Sequence, residues 1–140
     1  MRPGWFDLPR AERRAVVVAA MLVPVAHVLV RVCSYRRVMG VAERTAARWP
    51  ARHGALAPPA VIDQLRLATA RVQRHSPLPG NCLSRSLVLW WQLRRRGLAP
   101  ALRLGASLAG GVFAAHAWVE YDGQALTDTP DVARRYAPLT

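Results

Sequence analysis

The decisive stretch is residues 81–97, NCLSRSLVLWWQLRRRG, followed closely by residues 101–128, ALRLGASLAGGVFAAHAWVEYDGQALTD. In the first, Leu83, Leu87, Val88, Leu89, Trp90, Trp91 and Leu93 cover most of the circumference of a helix. Only Arg85, Gln92 and Arg96 remain as a narrow polar stripe, so the helix is expected at the centre of a core. Asn81 suits the N-cap, which makes Cys82 the first helical residue. Gly97 suits a left-handed end with Leu98 packing back on Leu93, and Arg94, Arg95 and Arg96 complement the negative end of the dipole. In the second stretch the period changes to that of strands, expected over residues 101–107, 112–120 and 124–128, with Gly110-Gly111 as a turn. A buried helix packed on an antiparallel sheet is an α+β domain.

Working back toward the N-terminus, the chain reads as helical. Asp7 is placed to cap a helix with Pro9 in its first turn. This helix is expected to run through the apolar residues 15–30, AVVVAAMLVPVAHVLV, toward Arg37, with a kink at Pro24. Gly40 is a plausible break, with a weaker helix over residues 41–48. After a loop at 50–58, Pro59 opens a helix in which Val61, Ile62, Leu65, Thr69 and Val72 recur at helical spacing. The division is therefore a helical region, 1–75, and a core, 76–140, together forming one compact unit.

Composition limits the classes. A chain of 140 residues suits one core, and 52% hydrophobic against 20% charged residues excludes a disordered tail. Two cysteines exclude a disulfide-dense scaffold and a four-cysteine zinc site. His27, His53, His75 and His116 show no metal-ligand spacing, so no metal is expected. The net charge is +12 and every basic residue is Arg. Coding bias is the first explanation for the missing Lys, but the positive field still favours anionic partners: nucleic acid, a membrane surface or an acidic peptide. No nucleic-acid motif accompanies the charge, and the Trp residues fall in apolar helices, so nucleic acid is not expected. A basic nucleic-acid or peptide-binding module without catalysis is the non-enzymatic alternative. The run at 15–30 is shorter than the ~20 residues of a spanning helix, carries Pro24 and His27, and lacks a signal-cleavage site. A buried core helix ranks first, contact with a membrane surface second and a true span last.

Three residues suggest chemistry: Cys82, His116 and Asp128. Thiol catalysis needs a thiolate, a base to take its proton and a group to orient the base. A helix N-terminus favours thiolate at Cys82, and its free N–H groups can hold an oxyanion. The Cys82 backbone and Asn81 are the candidate oxyanion donors, with Trp49 a weaker one. Singly, Cys82 reads as an inert small hydrophobe, His116 as a satisfied core residue and Asp128 as a turn cap. Together they favour catalysis. A three-residue loop, Tyr121-Asp122-Gly123, would pair Glu120 with Gln124 and set His116 directly opposite Asp128. A two-residue turn would instead oppose Asp128 to Ala117. The first register is expected. Trp118 and Glu120 share the face of His116; packing is favoured for both over a place for Trp118 in the wall of a substrate cleft. Ser84 and Ser86 are alternative nucleophiles, and Cys33 reads as structural.

The runs CLSRSLVLWWQLRRRG at 82–97, LRLG at 102–105 and FAAHAWVEYDGQALTD at 113–128 resemble the lasso-peptide leader peptidases, transglutaminase-like cysteine proteases of bacterial peptide biosynthesis. The resemblance covers about a third of the chain. It implies a papain-like fold of the transglutaminase variant, with Cys82 as nucleophile, His116 as base and Asp128 as orienting acid. It implies removal of the leader from a ribosomally made precursor peptide, before ring closure by a separate ATP-dependent cyclase. No cofactor is implied. The residues before Cys82 show no strand-rich leader-binding domain, so the chain looks like the stand-alone protease half of a split protein. It would then need a separate leader-recognition protein, with the helices of 1–75 as candidate docking surface. A cytoplasmic location follows, with membrane association kept open. Transglutaminase-type acyl transfer to an amine is the enzymatic alternative.

Overall fold

The computed structural model describes residues 4–50, 52, 56–75 and 82–139. Five helices and four strands follow in the order α1 (Arg10–Val32), α2 (Tyr35–Ala46), α3 (Pro59–His75), α4 (Cys82–Arg95), β1 (Ala101–Ser107), β2 (Ala114–Tyr121), β3 (Gln124–Ala125), α5 (Val132–Arg135) and β4 (Ala137–Pro138). The strands form one antiparallel sheet in the order β3-β2-β1-β4. This is the expected α+β arrangement of a buried helix packed on an antiparallel sheet.

Helix α4 is the hub, packed against α1, α2, α3 and the sheet. Leu87, Val88, Leu89, Trp90 and Leu93 are buried in one apolar cluster with Val16 and Val23 of α1, Ile62 and Leu65 of α3, and Val119 of β2. Its end has the geometry expected of Gly97, which adopts φ 78°. The Gly97 N–H donates to the Arg94 carbonyl and the Leu98 N–H to the Leu93 carbonyl, the paired bonds of a Schellman motif. One part of the expected polar stripe is absent: Gln92 is buried, because α1 covers that side of α4.

The N-terminal helices depart from expectation in two ways. Asp7 does not cap α1; it lies in a separate 3-10 turn, where its carboxylate accepts the Gly4 N–H at 2.9 Å. The first helix ends at Val32 rather than running on toward Arg37. Ser34, in extended backbone, starts a new helix through which Gly40 passes without interruption. Pro24 is accommodated inside α1.

The β2–β3 hairpin also differs. Tyr121 pairs with Gln124 and Glu120 with Ala125, leaving Asp122-Gly123 as a two-residue turn. Both turn residues have positive φ, 50° and 75°, as a type I′ turn requires. The expected three-residue loop is therefore overturned. The third strand is also only two residues long, because the ladder is cut off by a side chain. The Leu126 N–H donates to the Val119 carbonyl, but the Val119 N–H donates to the Thr127 hydroxyl, not to backbone. Beyond Thr127 the chain leaves the sheet.

Candidate active site

Side chains alternate along β2. Ala117 and Val119 face α4 and are fully buried, while His116, Trp118 and Glu120 face the other way. The departure of the chain after Thr127 carries Asp128 to His116, and His116 Nε2 is hydrogen-bonded to Asp128 Oδ2. The expected contact thus forms, though not through the expected cross-strand pairing. With the Nε2 proton shared with a carboxylate, the neutral imidazole keeps its lone pair on Nδ1, where it can accept a proton.

Asp128 is held from several sides. Its Oδ1 accepts the Thr129 N–H at 2.7 Å and the Arg135 guanidinium at 2.6 Å. Burial pushes the Asp128 carboxyl up, but the Thr129 N–H, the bond to and charge of His116, and the Thr129 hydroxyl outweigh it and hold the group below the usual aspartate value. It is a carboxylate at neutral pH and can stabilise an imidazolium at His116.

Beneath the imidazole lie two aromatic rings. Tyr136 is 4.9 Å from His116 between centroids, and Trp118 is 6.2 Å away and near parallel. Trp118 is only 1% exposed and donates its indole N–H to Glu120 at 2.9 Å. It therefore offers no surface to a substrate cleft, and the cleft role is corrected to packing. Glu120 in turn pairs with Arg103 at 3.1 Å. Gly105, opposite His116 in the sheet, makes this stacking feasible: a Cβ there would stand 2.7 Å from Tyr136 and 2.9 Å from the Trp118 ring.

Cys82 opens α4 as expected and is half-buried with a free thiol, as is Cys33. Among the described residues no hydrogen bond joins Cys82 to His116 or Asp128. What couples the helix to the pair is the next turn. Ser86, about 6 Å along the axis from Cys82 by helical rise, donates its hydroxyl to the carbonyl of Ala117, next to His116, at 3.1 Å. The Ser86 hydroxyl also lies 3.3 Å from that of Thr127, beside Asp128, and Arg85 donates to the Thr127 carbonyl at 2.8 Å. The first turns of α4 are thus bonded to the immediate neighbours of both His116 and Asp128. Ser84 and Ser86 are buried, so neither is exposed as a nucleophile. Asn81, the suggested cap and oxyanion donor, lies outside the described residues, as does the loop at 76–80. Trp49 packs edge-on against Trp91, nine residues and about 13 Å along α4 from Cys82. It is not placed as an oxyanion donor there.

The structure thus sets a thiol at the start of α4 and a His–Asp pair at the adjoining sheet and the segment that leaves it. Residues 24–140 match the transglutaminase-like superfamily. The chain belongs to the transglutaminase-like superfamily. No curated protein and no solved structure matches. The family match begins inside α1, so the transglutaminase-like domain includes α2 and α3 as well as the helix–sheet core. Membership points to cysteine-protease or acyltransferase-type activity.

Several residues around the candidate site have little signal in the sequence alone: Tyr136, Arg135, Thr127 and the contacts of Ser86. Tyr136 and Arg135 follow Asp128 in a segment with no periodicity; as the chain returns to pair β4 with β1, Tyr136 meets His116 and Arg135 meets Asp128. Thr127 could have been found as the residue flanking the acid, since threonine hydroxyls readily replace backbone partners.

Proposed function

We propose that this protein is a cysteine peptidase that removes the leader from a lasso-peptide precursor, the stand-alone protease half of a split pair. The observation that carries the reading is the His116–Asp128 pair tied through Ser86 and Thr127 to the helix that Cys82 begins. It is supported by family membership and by the likeness of 82–97, 102–105 and 113–128 to leader peptidases. A separate leader-recognition protein presents the precursor, docking on the helical region 1–75, and an ATP-dependent cyclase takes the product. The work takes place in the cytoplasm.

Cys82 gives its proton to His116 Nδ1, and the thiolate attacks the carbonyl carbon at the leader–core junction. Backbone N–H groups at the start of α4 receive the oxyanion. As the intermediate collapses, the C–N bond breaks and His116 returns its proton to the leaving amine, which becomes the N-terminus of the core. Asp128 stabilises the imidazolium between these transfers. The leader is now a thioester on Cys82. Water, deprotonated by His116, attacks it and releases the leader carboxylate and the free thiol.

The test is to incubate the protein with a precursor peptide and its leader-recognition protein and to weigh the products, beside Cys82→Ala. The expected result is a single cut with water added at the leader–core junction, lost in Cys82→Ala while the complex still forms. Full cleavage by Cys82→Ala would refute the mechanism. A product joining the leader acyl group to an added amine would move the reading to acyl transfer.

A further inference from the structure

Helix α1 has two apolar faces, and the core uses only one. Ala15, Val16, Ala19, Val23, Ala26 and His27 are buried, and the helix packs there against α3 and α4. On the other side Val17, Met21, Val25, Val28 and Val32 recur every three to four residues, each between 44% and 78% exposed. That spacing aligns them on one side of the helix over about 22 Å. No charged residue occurs between Arg14 and Arg31. Exposed Leu29, and Val41 of α2, widen the strip. A contiguous apolar face of this extent marks an interaction surface.

Charge identifies what covers it. Exposed Arg10 and Arg14 stand at one end of the strip, and exposed Arg31, Arg36 and Arg37 at the other. Among the described residues none of the five pairs with a carboxylate; those ion pairs belong to Arg66, Arg103 and Arg135. The whole chain carries +12. An apolar strip framed at both ends by unpaired guanidinium groups complements an anionic bilayer, whose acyl boundary takes the apolar side chains while its headgroups take the arginines.

We propose that this face of α1 seats the protein on an anionic membrane surface, with the helix lying in the interfacial plane. By length and composition α1 is sufficient to cross a bilayer, with 23 residues and a mean hydropathy of 2.3 over its most apolar window. Crossing would strip its buried side from α3 and α4 and would place Pro24 and His27 within the hydrocarbon. Lying flat keeps the core intact. The active-site chemistry proposed above does not depend on this seating, and α2 and α3 remain for a protein partner.

The experiment is co-sedimentation of the full chain with phosphatidylcholine vesicles, with and without phosphatidylglycerol, together with light scattering of the vesicle-free protein. Binding is expected only with phosphatidylglycerol, and is expected to be released by roughly 1 M salt, at which charges are screened within about 3 Å. The double variant Met21→Glu and Val25→Glu, checked for native circular dichroism, should lose more than about tenfold of the partition coefficient. Arg14→Gln should lose about fivefold, the effect of one basic residue near an anionic surface. The control pair Leu108→Glu together with Val112→Glu, which places the same added charge at exposed sites outside α1, should bind as wild type. The proposal is overturned if the folded protein ignores phosphatidylglycerol vesicles or if the double variant binds undiminished. It is equally overturned if binding resists both salt and alkaline extraction, which would mean insertion. A wild-type dimer that the double variant converts to monomer, without vesicle binding, would assign the face to a second copy.

Discussion

The two faces of β2 are held by different means. On one, Ala117 and Val119 are buried against α4, with a single directed contact, the Ser86 hydroxyl on the Ala117 carbonyl. On the other, His116, Trp118 and Glu120 are held by directed contacts: a carboxylate, a tilted tyrosine ring and an indole–carboxylate hydrogen bond. The first face anchors the strand, and the second aims one imidazole. Packing tolerates small adjustments, whereas hydrogen bonds to a single ring nitrogen do not. Damage to the first face should therefore remove stability and activity together. Damage to the second should remove activity from a folded protein.

The largest effect is expected on the packed face. Leu89 of α4 is fully buried in the shared cluster. Leu89→Ala removes that contact and leaves a cavity, at a cost of about 2–5 kcal/mol. Denaturant unfolding should show a lower midpoint, and peptidase activity should fall with the folded fraction. Asp128→Asn tests the other face. The amide cannot stabilise an imidazolium as a carboxylate does, so the rate of leader cleavage should fall by about 10²–10⁴-fold. The unfolding midpoint at neutral pH should move much less than in Leu89→Ala. Equal losses of stability in the two variants would erase the distinction between the faces.

The difference also explains what the sequence made legible. The packed face follows from a pattern: the apolar circumference of 83–93, the Gly97 terminus and a strand at 112–120, observed at 114–121, are visible without coordinates. The three candidate residues, Cys82, His116 and Asp128, are legible because their types and order are unusual. The way they meet is not. The expected three-residue loop, with Gly123 left-handed in a turn plus bulge, sets His116 opposite Asp128 by strand pairing alone. In the structure Asp122-Gly123 makes the tighter turn, Thr127 takes over a ladder bond and the chain peels away to deliver the acid. Tyr136 and Arg135 depend on a four-residue helix and a two-residue strand, which are too short to carry any period. Directed contacts between such segments leave no local signature.

Gly105 sharpens the comparison, because it lies in the strand beside β2 but serves only its outer face. A methyl group at this position would meet Tyr136 and the Trp118 ring at distances no Cβ tolerates. In Gly105→Ala the rigid indole and the backbone-anchored tyrosine must both shift, a strain of about 1–3 kcal/mol. Because the Tyr136 ring lies 4.9 Å from that of His116, the shift should also turn the imidazole. Cleavage should fall by roughly tenfold or more, beyond what the thermal melt explains. An activity loss no larger than the loss of folded protein would mean that the aromatic floor does not orient His116.

The smallest effect is expected at the rim of the second face. Arg135 is partly exposed and reaches Asp128 Oδ1, which the Thr129 N–H also holds, while His116 occupies Oδ2. An exposed ion pair contributes about 0–1 kcal/mol, so Arg135→Gln should barely move the melting temperature at neutral pH and should reduce cleavage only a few-fold. Its dependence on pH has a definite sign. The Asp128 carboxyl is held below the usual aspartate value of 3.8. Its stabilising contribution is therefore complete above that value and is lost as pH falls through the lower, folded-state pKa. Wild-type protein should lose this increment on acidification, Arg135→Gln nearly all of it because His116 and Thr129 remain, and Asp128→Asn none of it. Acid-unfolding curves of the three proteins check the order. A curve for Arg135→Gln that follows Asp128→Asn would make the guanidinium, rather than the imidazole and the Thr129 backbone, the chief partner of the acid.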